Sequence, residues 1–162
     1  MGSPFEILAY GEIEQCKKAV EAAFCEIARL EQRLSIFRPD SAISKMNRGE
    51  LSEDSEVLSL LVLASHYTKK TRGAFDICSG KVSGGVDLGA IGKGYAIDKA
   101  VNVLNRFGIA HAKISCRSTI YGLGSPPGLL GWPITIESFA GPITLFNQAI
   151  STSGNTEQPG HI

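Results

Sequence analysis

The feature that most constrains this chain is the segment 87–100, where three glycines fall within six residues. They are Gly89, Gly92 and Gly94. Glycine permits positive φ and has no Cβ to keep a ligand away from the main chain. We expect a short apolar strand that ends near Leu88 and a glycine-rich turn into a helix, whose first N–H groups have no partner within the helix. An anion suits such a turn, and Lys93 adds a positive charge to it. The alternative is a glycine-eased junction with a solvated lysine.

Two carboxylates flank this turn. Asp87 precedes the glycines and Asp98 follows them. Carboxylates beside a lysine suit a phosphate or pyrophosphate that is bound with a metal ion. We assign Asp87 to ligand contact, and we predict that Asp98 stabilises the N-terminal turns of the helix.

Composition places the chain among globular proteins and narrows its partners. With 162 residues and a mean hydropathy of +0.06, it fits one domain over residues 1–162. Sixteen basic residues balance sixteen acidic ones, so no global field favours nucleic acid, and we predict no nucleic-acid partner. The longest apolar run, residues 58–64, is too short to cross a bilayer, and no signal-like segment precedes Phe5. The sequence as written is therefore expected to be cytoplasmic, or to be already processed.

The four cysteines show no metal-binding or redox spacing. They are Cys16, Cys25, Cys78 and Cys116, and no two form a C-x-x-C pair. We predict that they are reduced and mostly buried.

Hydrophobic periodicity divides the first half of the chain into a strand and helices. Residues 5–10 alternate as a strand does, and from Glu12 apolar residues recur every three or four positions in a long helix. A short turn capped near Ser41 runs toward Asn47, and a second helix over residues 54–71 has Ser52 as its expected cap. Phe37, on the loop between the helices, either stacks on a ligand or anchors the loop to the core.

The second half predicts one helix followed by strands. We predict that the helix that starts at the glycines buries four apolar residues and stops at Gly108. These positions are Ala96, Ala100, Val103 and Phe107. Strands are expected over residues 112–115, 118–123, 133–136, 142–145 and 148–151. The order favours an α+β fold with a mostly antiparallel sheet packed with helices.

Several segments, in this order along the chain, together resemble the ApbE family. They are the N-terminal residues 1–5, residues 34–47, Gly73-Ala74-Phe75-Asp76, residues 87–98, Gly131-Trp132-Pro133-Ile134, and Ser151-Thr152-Ser153-Gly154 with His161-Ile162. The resemblance covers nearly the whole chain, and the combination is more specific than any single motif.

This resemblance implies a T-fold-like single domain and a flavin-transfer activity. Members of the family are FAD:protein FMN transferases, which use Mg²⁺ to move FMN from FAD to a threonine of a partner flavoprotein. AMP is then the leaving group. Carried over by position, the residues in contact with FAD would be Met1, Phe37, Ala74, Phe75, Asp76, Asp87, Lys93 and Ile162. The Ala90 carbonyl would be a magnesium ligand, and Lys93 and His161 would serve catalysis.

The chain also departs from the family pattern. Only residues 77–86 separate Asp76 from Asp87, where the family usually has a longer insertion. The sequence ends at Ile162, where family members continue to an Asp and a Thr that hold magnesium, so a C-terminally shortened domain is expected. An alternative function is therefore a catalytically degenerate protein that binds FAD or a partner. Family members are often periplasmic lipoproteins, and membrane association would require a lipoprotein signal that this sequence lacks.

Overall fold

The computed structural model of the chain combines helices with antiparallel strands, which confirms the predicted α+β class. The structure describes residues 3–78, 84–117, 119–136 and 141–152. The helices are α1 (Ile13–Leu34), α2 (Ala42–Asn47), α3 (Ser55–Lys70) and α4 (Gly89–Arg106). The strands are β1 (Phe5–Tyr10), β2 (His111–Cys116), β3 (Thr119–Leu123), β4 (Trp132–Ile134), β5 (Ile143–Leu145) and β6 (Gln148–Ser151).

Two compact units make up the chain. The first is formed by Met1–Gly2 with Glu26–Ala96, and the second by Ser3–Cys25 with Ile97–Ile162. In its described part, the first unit is helical, and it contains most of the predicted flavin contacts. The second unit contains both sheets.

The core of the first unit comes from its helices and from the residue before α4. Leu30 of α1, Ile43 of α2, Leu60 of α3 and Leu88 are each at most 1% exposed. Full burial of such a side chain contributes about 1.5–3 kcal/mol. On α3, Leu60 is buried, whereas its neighbour Leu61 is only half-buried.

Side-chain caps fix where the helices of the first unit begin. The Ser41 hydroxyl accepts a hydrogen bond from the Ser44 N–H at 2.9 Å, as predicted for α2. The prediction of Ser52 as the cap of α3 is wrong. The Asp54 carboxylate is the cap, since it accepts from the N–H groups of Glu56 and Val57. Ser52 accepts instead from the Asp54 N–H at 3.3 Å.

A four-stranded antiparallel sheet in the order β1-β2-β3-β6 dominates the second unit. Phe5 pairs with Cys116, Ile114 with Tyr121, and Ile120 with Ile150. Along β1, half-buried and exposed residues alternate, as the sequence predicts. All five strands predicted after α4 are present, with shifts of their ends by one or two residues.

The shorter sheet pairs β4 with β5 and forms its own apolar cluster. Trp132, Ile134 and Leu145 are its buried members. The indole N–H of Trp132 donates to the Leu123 carbonyl at 3.0 Å, which ties β4 to the end of β3. A tryptophan buried in this way keeps its polar atom satisfied.

Helical segments of the second unit have capped or glycine-terminated ends. The backbone N–H groups of Glu14 and Gln15 donate to the Glu12 carboxylate, and these bonds hold the Glu12 pKa below its ordinary value. Gly108, with φ of 74°, follows α4 as predicted. Phe107 is 40% exposed, so its predicted burial is wrong.

Most cysteines contradict the prediction of burial. Cys116 is buried, Cys16 is intermediate, and Cys25 and Cys78 are exposed. All four are free thiols, as expected. Across the described ranges, no helix is both long and apolar enough to cross a membrane.

Candidate functional site

The glycine-rich segment forms the first turns of α4 rather than a turn before it. Residues 86–88 form no strand, and α4 begins at Gly89. None of Gly89, Gly92 and Gly94 has positive φ. The predicted strand and left-handed glycine turn are therefore wrong. At Gly94 an added Cβ would have no atom within 4 Å, so the space beside the helix is open there.

Asp87 lies at the N-terminal end of α4 and accepts from its first residue. Its Oδ1 receives the Gly89 N–H at 2.8 Å. The carboxylate is thus placed at the positive end of the helix dipole. An anion that binds at this turn would find the Gly89 N–H already hydrogen-bonded to Asp87.

Lys93 lies one turn further along α4, with its side chain directed back toward the helix start. Its Nζ donates to the Gly89 carbonyl at 3.1 Å. An ammonium has three protons to donate, and the described residues offer it no second acceptor. The remaining protons of this half-buried cation are available to an anionic ligand.

Ala90, the predicted magnesium ligand, is the second residue of α4 and is exposed. In helix geometry its carbonyl points along the axis toward the N–H of Gly94. The carboxylates of the predicted site residues Asp76 and Asp87 each accept a backbone N–H. In the part of the chain that the structure describes, no three His, Cys, Asp or Glu residues are grouped so as to hold a metal ion. These residues alone do not form a complete magnesium site.

Ala74, Phe75 and Asp76 follow the end of α3. The Phe75 N–H donates to the Thr71 hydroxyl at 2.9 Å, and the Phe75 ring lies edge-on to Tyr67 at 6.3 Å between centroids. The Asp76 carboxylate accepts the Cys78 N–H at 2.8 Å and is exposed. Ala74 is also exposed. The segment is therefore held by its backbone and presents polar and aromatic side chains.

Two hydrogen-bond contacts bring the sequence-predicted segments together. The Asp87 N–H donates to the Ile77 carbonyl at 2.8 Å, which joins the Ala74–Asp76 segment to the entrance of α4. The Asn47 side chain bonds to both backbone polar groups of Val86. Residues 74–77, residues 86–93 and the end of α2 are thus in direct contact.

Phe37 lies on the loop between α1 and α2, and 64% of its surface is exposed. Its N–H donates to the hydroxyl of Ser35, which is buried. The interpretation of Phe37 as an anchor in the core is therefore wrong. The exposed ring remains consistent with stacking on a ligand.

Asp98 lies nine residues after the start of α4 and cannot stabilise its first turn. Burial raises the Asp98 pKa above its ordinary value. Three other predicted site residues, Met1, His161 and Ile162, lie outside the described residues.

A charged cluster that the sequence analysis missed links α1, α3 and α4 within the first unit. Arg29 binds both carboxylate oxygens of Glu56, at 2.6 and 3.0 Å, and also pairs with Glu26. The Tyr95 hydroxyl donates to Glu56 at 3.0 Å. These carboxylates raise the Arg29 pKa above its ordinary value. Arg29 and Glu56 are 27 residues apart, so no local sequence pattern marks the pair.

The family of the chain follows from a profile comparison. The ApbE family profile matches residues 1–85 and 83–159. The chain belongs to the ApbE family. Among curated proteins, no match is found.

Solved ApbE structures share the fold of this ApbE chain. A mutant form of "Flavin Transferase ApbE" from Vibrio cholerae aligns with a TM-score of 0.82 and 20% identity, over 94% of this chain and 70% of that one. The ApbE protein of Thermotoga maritima aligns with a TM-score of 0.82 and 20% identity, over 96% of this chain and 68% of that one. The apo form of the Pseudomonas stutzeri flavinyl transferase ApbE aligns with a TM-score of 0.75 and 17% identity, over 96% of this chain and 70% of that one.

Proposed function

We propose that this chain transfers FMN from FAD to a threonine hydroxyl of a partner flavoprotein. The observation that carries the proposal is the ApbE family match along nearly the whole chain. Two of the structures with the same fold are named as a flavin transferase and a flavinyl transferase. The contacts among residues 74–77, residues 86–93 and Asn47 support it, because they gather the predicted FAD contacts of the first unit.

In this proposal the residues at the start of α4 bind the pyrophosphate of FAD. The Lys93 ammonium donates to phosphate oxygens with the protons that Gly89 does not use. The open space at Gly94 lets a phosphate approach the helix backbone. Phe37 stacks on a ring of FAD, and Ala74, Phe75, Asp76 and Asp87 line the bound molecule. Met1 and Ile162 complete the proposed FAD contacts.

The proposed reaction is a phosphoryl-type substitution at the FMN phosphorus. The threonine oxygen forms a bond to this phosphorus while the phosphoanhydride bond to the AMP portion breaks. AMP leaves with the bridging oxygen, and the hydroxyl proton passes to a base, for which we propose His161. Lys93 stabilises the charge that builds on the phosphate oxygens.

Magnesium is part of the proposal as a requirement of the reaction. When bound, Mg²⁺ would neutralise phosphate oxygens, and it commonly keeps several waters and substrate phosphates among its ligands. The Ala90 carbonyl is the ligand that we propose from this chain. Among the described residues, no three His, Cys, Asp or Glu side chains are grouped so as to complete its ligand set.

Two measurements on one mixture test the proposed function. The chain is incubated with FAD, with and without Mg²⁺ and an acceptor flavoprotein, and bound flavin and released AMP are measured. We expect FAD binding, with AMP release that requires Mg²⁺ and the acceptor. FAD binding without AMP release in the complete mixture would instead support the degenerate FAD-binding alternative. The absence of any flavin binding would contradict both functions.

A further inference from the structure

The backbone of Val86 is held by a side chain in place of a neighbouring strand. The Asn47 Nδ2 donates to the Val86 carbonyl at 2.9 Å, and the Val86 N–H donates to the Asn47 Oδ1 at 2.8 Å. A carboxamide offers one acceptor and two donors, so it can pair with a residue's backbone as a strand would. This pairing gives both backbone polar groups of Val86 a partner, although the predicted strand is not formed.

Asn47 is itself held in a fixed place. It is the last residue of α2, which Ser41 caps and which buries Ile43 completely. Arg48 and Gly49 close the helix end with backbone bonds to Lys45 and Met46. The Asn47 side chain therefore extends from an anchored helix end to Val86.

The residues that follow Val86 form the start of α4. Asp87 bonds to the Ile77 carbonyl through its N–H and to Gly89 through its carboxylate. The Leu88 carbonyl accepts from the N–H groups of Ile91 and Gly92, at 3.1 and 2.7 Å. The position of Val86 thus decides where the first turn of α4 lies, and with it the Gly89 carbonyl to which Lys93 donates.

We infer that Asn47 is a positioning residue for FAD binding, which acts by holding Val86 so that Asp87 and Lys93 take their places at the start of α4. This inference rests on the proposed function. The role is distinct from FAD contact, because the side-chain amide oxygen and one amide proton of Asn47 are already used by Val86. Loss of the amide leaves two backbone groups of a half-buried residue without their partners.

Site-specific amide exchange tests the inference without FAD. We compare Asn47→Ala with a matched control, Asn102→Ala, whose side chain is exposed on α4 and forms no bond within the described ranges. In Asn47→Ala, exchange at the amides of Ile91 and Gly92 should rise about tenfold or more, while the Leu104 amide changes little. Asn47→Asp keeps the acceptor for the Val86 N–H but sets a carboxylate oxygen against the Val86 carbonyl, so exchange at the Ile91 and Gly92 amides should rise here too.

FAD titration of the same variants tests the link to the site. Asn47→Ala should weaken FAD binding about tenfold, and Asn102→Ala should leave it unchanged. In a Lys93→Ala background, the further loss from Asn47→Ala should be smaller than in the unaltered chain, because part of its effect acts through Lys93.

The outcomes separate this inference from the proposed function. Unchanged or uniformly raised exchange along α4 in Asn47→Ala would overturn the positioning role, and if that variant does not fold, Asn47→Asp gives the same comparison. Local exchange changes with unchanged FAD affinity would also overturn it. If the unaltered chain binds no FAD, the proposed function fails, while the exchange comparison still decides whether Asn47 positions α4.

Discussion

Lys93 combines a positive charge with unused hydrogen-bonding capacity. Its ammonium donates to the Gly89 carbonyl, and two protons remain for a ligand. We predict that Lys93→Ala weakens FAD binding tenfold or more, since a hydrogen bond to a charged group contributes about 1.5–3 kcal/mol. Flavin titration measures the change, with Lys18→Ala on the exposed face of α1 as the control. Equal affinities for the two variants would make Lys93 a solvated surface residue.

For Asp98, in contrast to Lys93, we predict an effect on protein stability. Burial raises its pKa, so the folded state binds a proton more readily than the unfolded chain, and the associated stability is lost as pH rises through the folded-state pKa. Asp98→Asn should therefore be slightly more stable than the unaltered chain near pH 7, and the difference should shrink in acid. The effect is small because Asp98 is largely exposed.

Urea unfolding of both forms, near pH 7 and in acid, measures this difference. Asp and Asn have similar helix propensities, so the substitution isolates the charge. An Asp98→Asn variant that is less stable than the unaltered chain near pH 7 would contradict a destabilising effect of the Asp98 charge.

Asn47 shows why part of the candidate site could not be predicted at the residue scale. The sequence marks Asn47 only as the end of a short turn, and its partner Val86 is 39 residues away. Lys93, Asp87 and Asp76 could be named because they belong to recognisable local motifs. A side chain that pairs with distant backbone leaves no periodic or compositional signal.

At the scale of single elements, the N-terminus of α3 distinguishes two neighbouring capping residues. Asp54 accepts from Glu56 and Val57 and also pairs with Arg33 at 2.9 Å. We predict that Asp54→Ala lowers the free energy of unfolding by about 0.5–2 kcal/mol. Ser52→Ala should cost much less, and exposed Glu53→Ala serves as the neutral control. Chemical denaturation of the three variants gives the ranking, and an equal loss for Ser52→Ala would contradict the assignment of the cap.

Strand β3 requires a glycine where it meets the shorter sheet. A Cβ on Gly122 would lie 2.8 Å from the Trp132 side chain and 3.1 Å from the Leu145 backbone oxygen. Gly122→Ala should therefore destabilise the protein by about 1–3 kcal/mol. The matched control is Gly94→Ala on α4, where an added Cβ meets nothing within 4 Å.

The control has its own expected direction. Alanine at a helical position stabilises by about 0.5–1 kcal/mol relative to glycine. Thermal unfolding should thus show Tm falling for Gly122→Ala and holding or rising for Gly94→Ala. A Gly122→Ala variant as stable as the unaltered chain would show that the sheets can separate without cost.

The sequence predicts the strands after α4 correctly but wrongly predicts a strand that ends near Leu88, and the difference has a physical reason. The strands after α4 were predicted because glycine and proline turns separate short β-prone runs. Residues 86–88 looked similar but form no strand, since Asn47 and Ile77 supply the backbone partners there. Local sequence reports strand preference, whereas tertiary contacts decide which partner the backbone finds.

At the scale of the whole molecule, the balance of charge and the family match are both consistent with a small-molecule substrate rather than a polyanion. Sixteen basic and sixteen acidic residues give no general attraction to polyanions, so the proposed anionic substrate, FAD, would be held by local contacts. The ApbE profile matches segments that together reach from residue 1 to residue 159. The fold class was predictable because the order of elements determines it, while the contacts that gather the candidate site required the folded chain.

Covalent transfer of FMN is the activity proposed for this chain, and it is tested by measuring flavin attached to an acceptor protein. The chain is mixed with FAD, Mg²⁺ and a flavoprotein that carries a target threonine, with the same acceptor lacking that threonine as the control. After denaturation, we predict fluorescence on the intact acceptor alone, with AMP released in equal amount. If the acceptor stays unlabelled while the Vibrio cholerae flavin transferase labels it under the same conditions, the claim is contradicted.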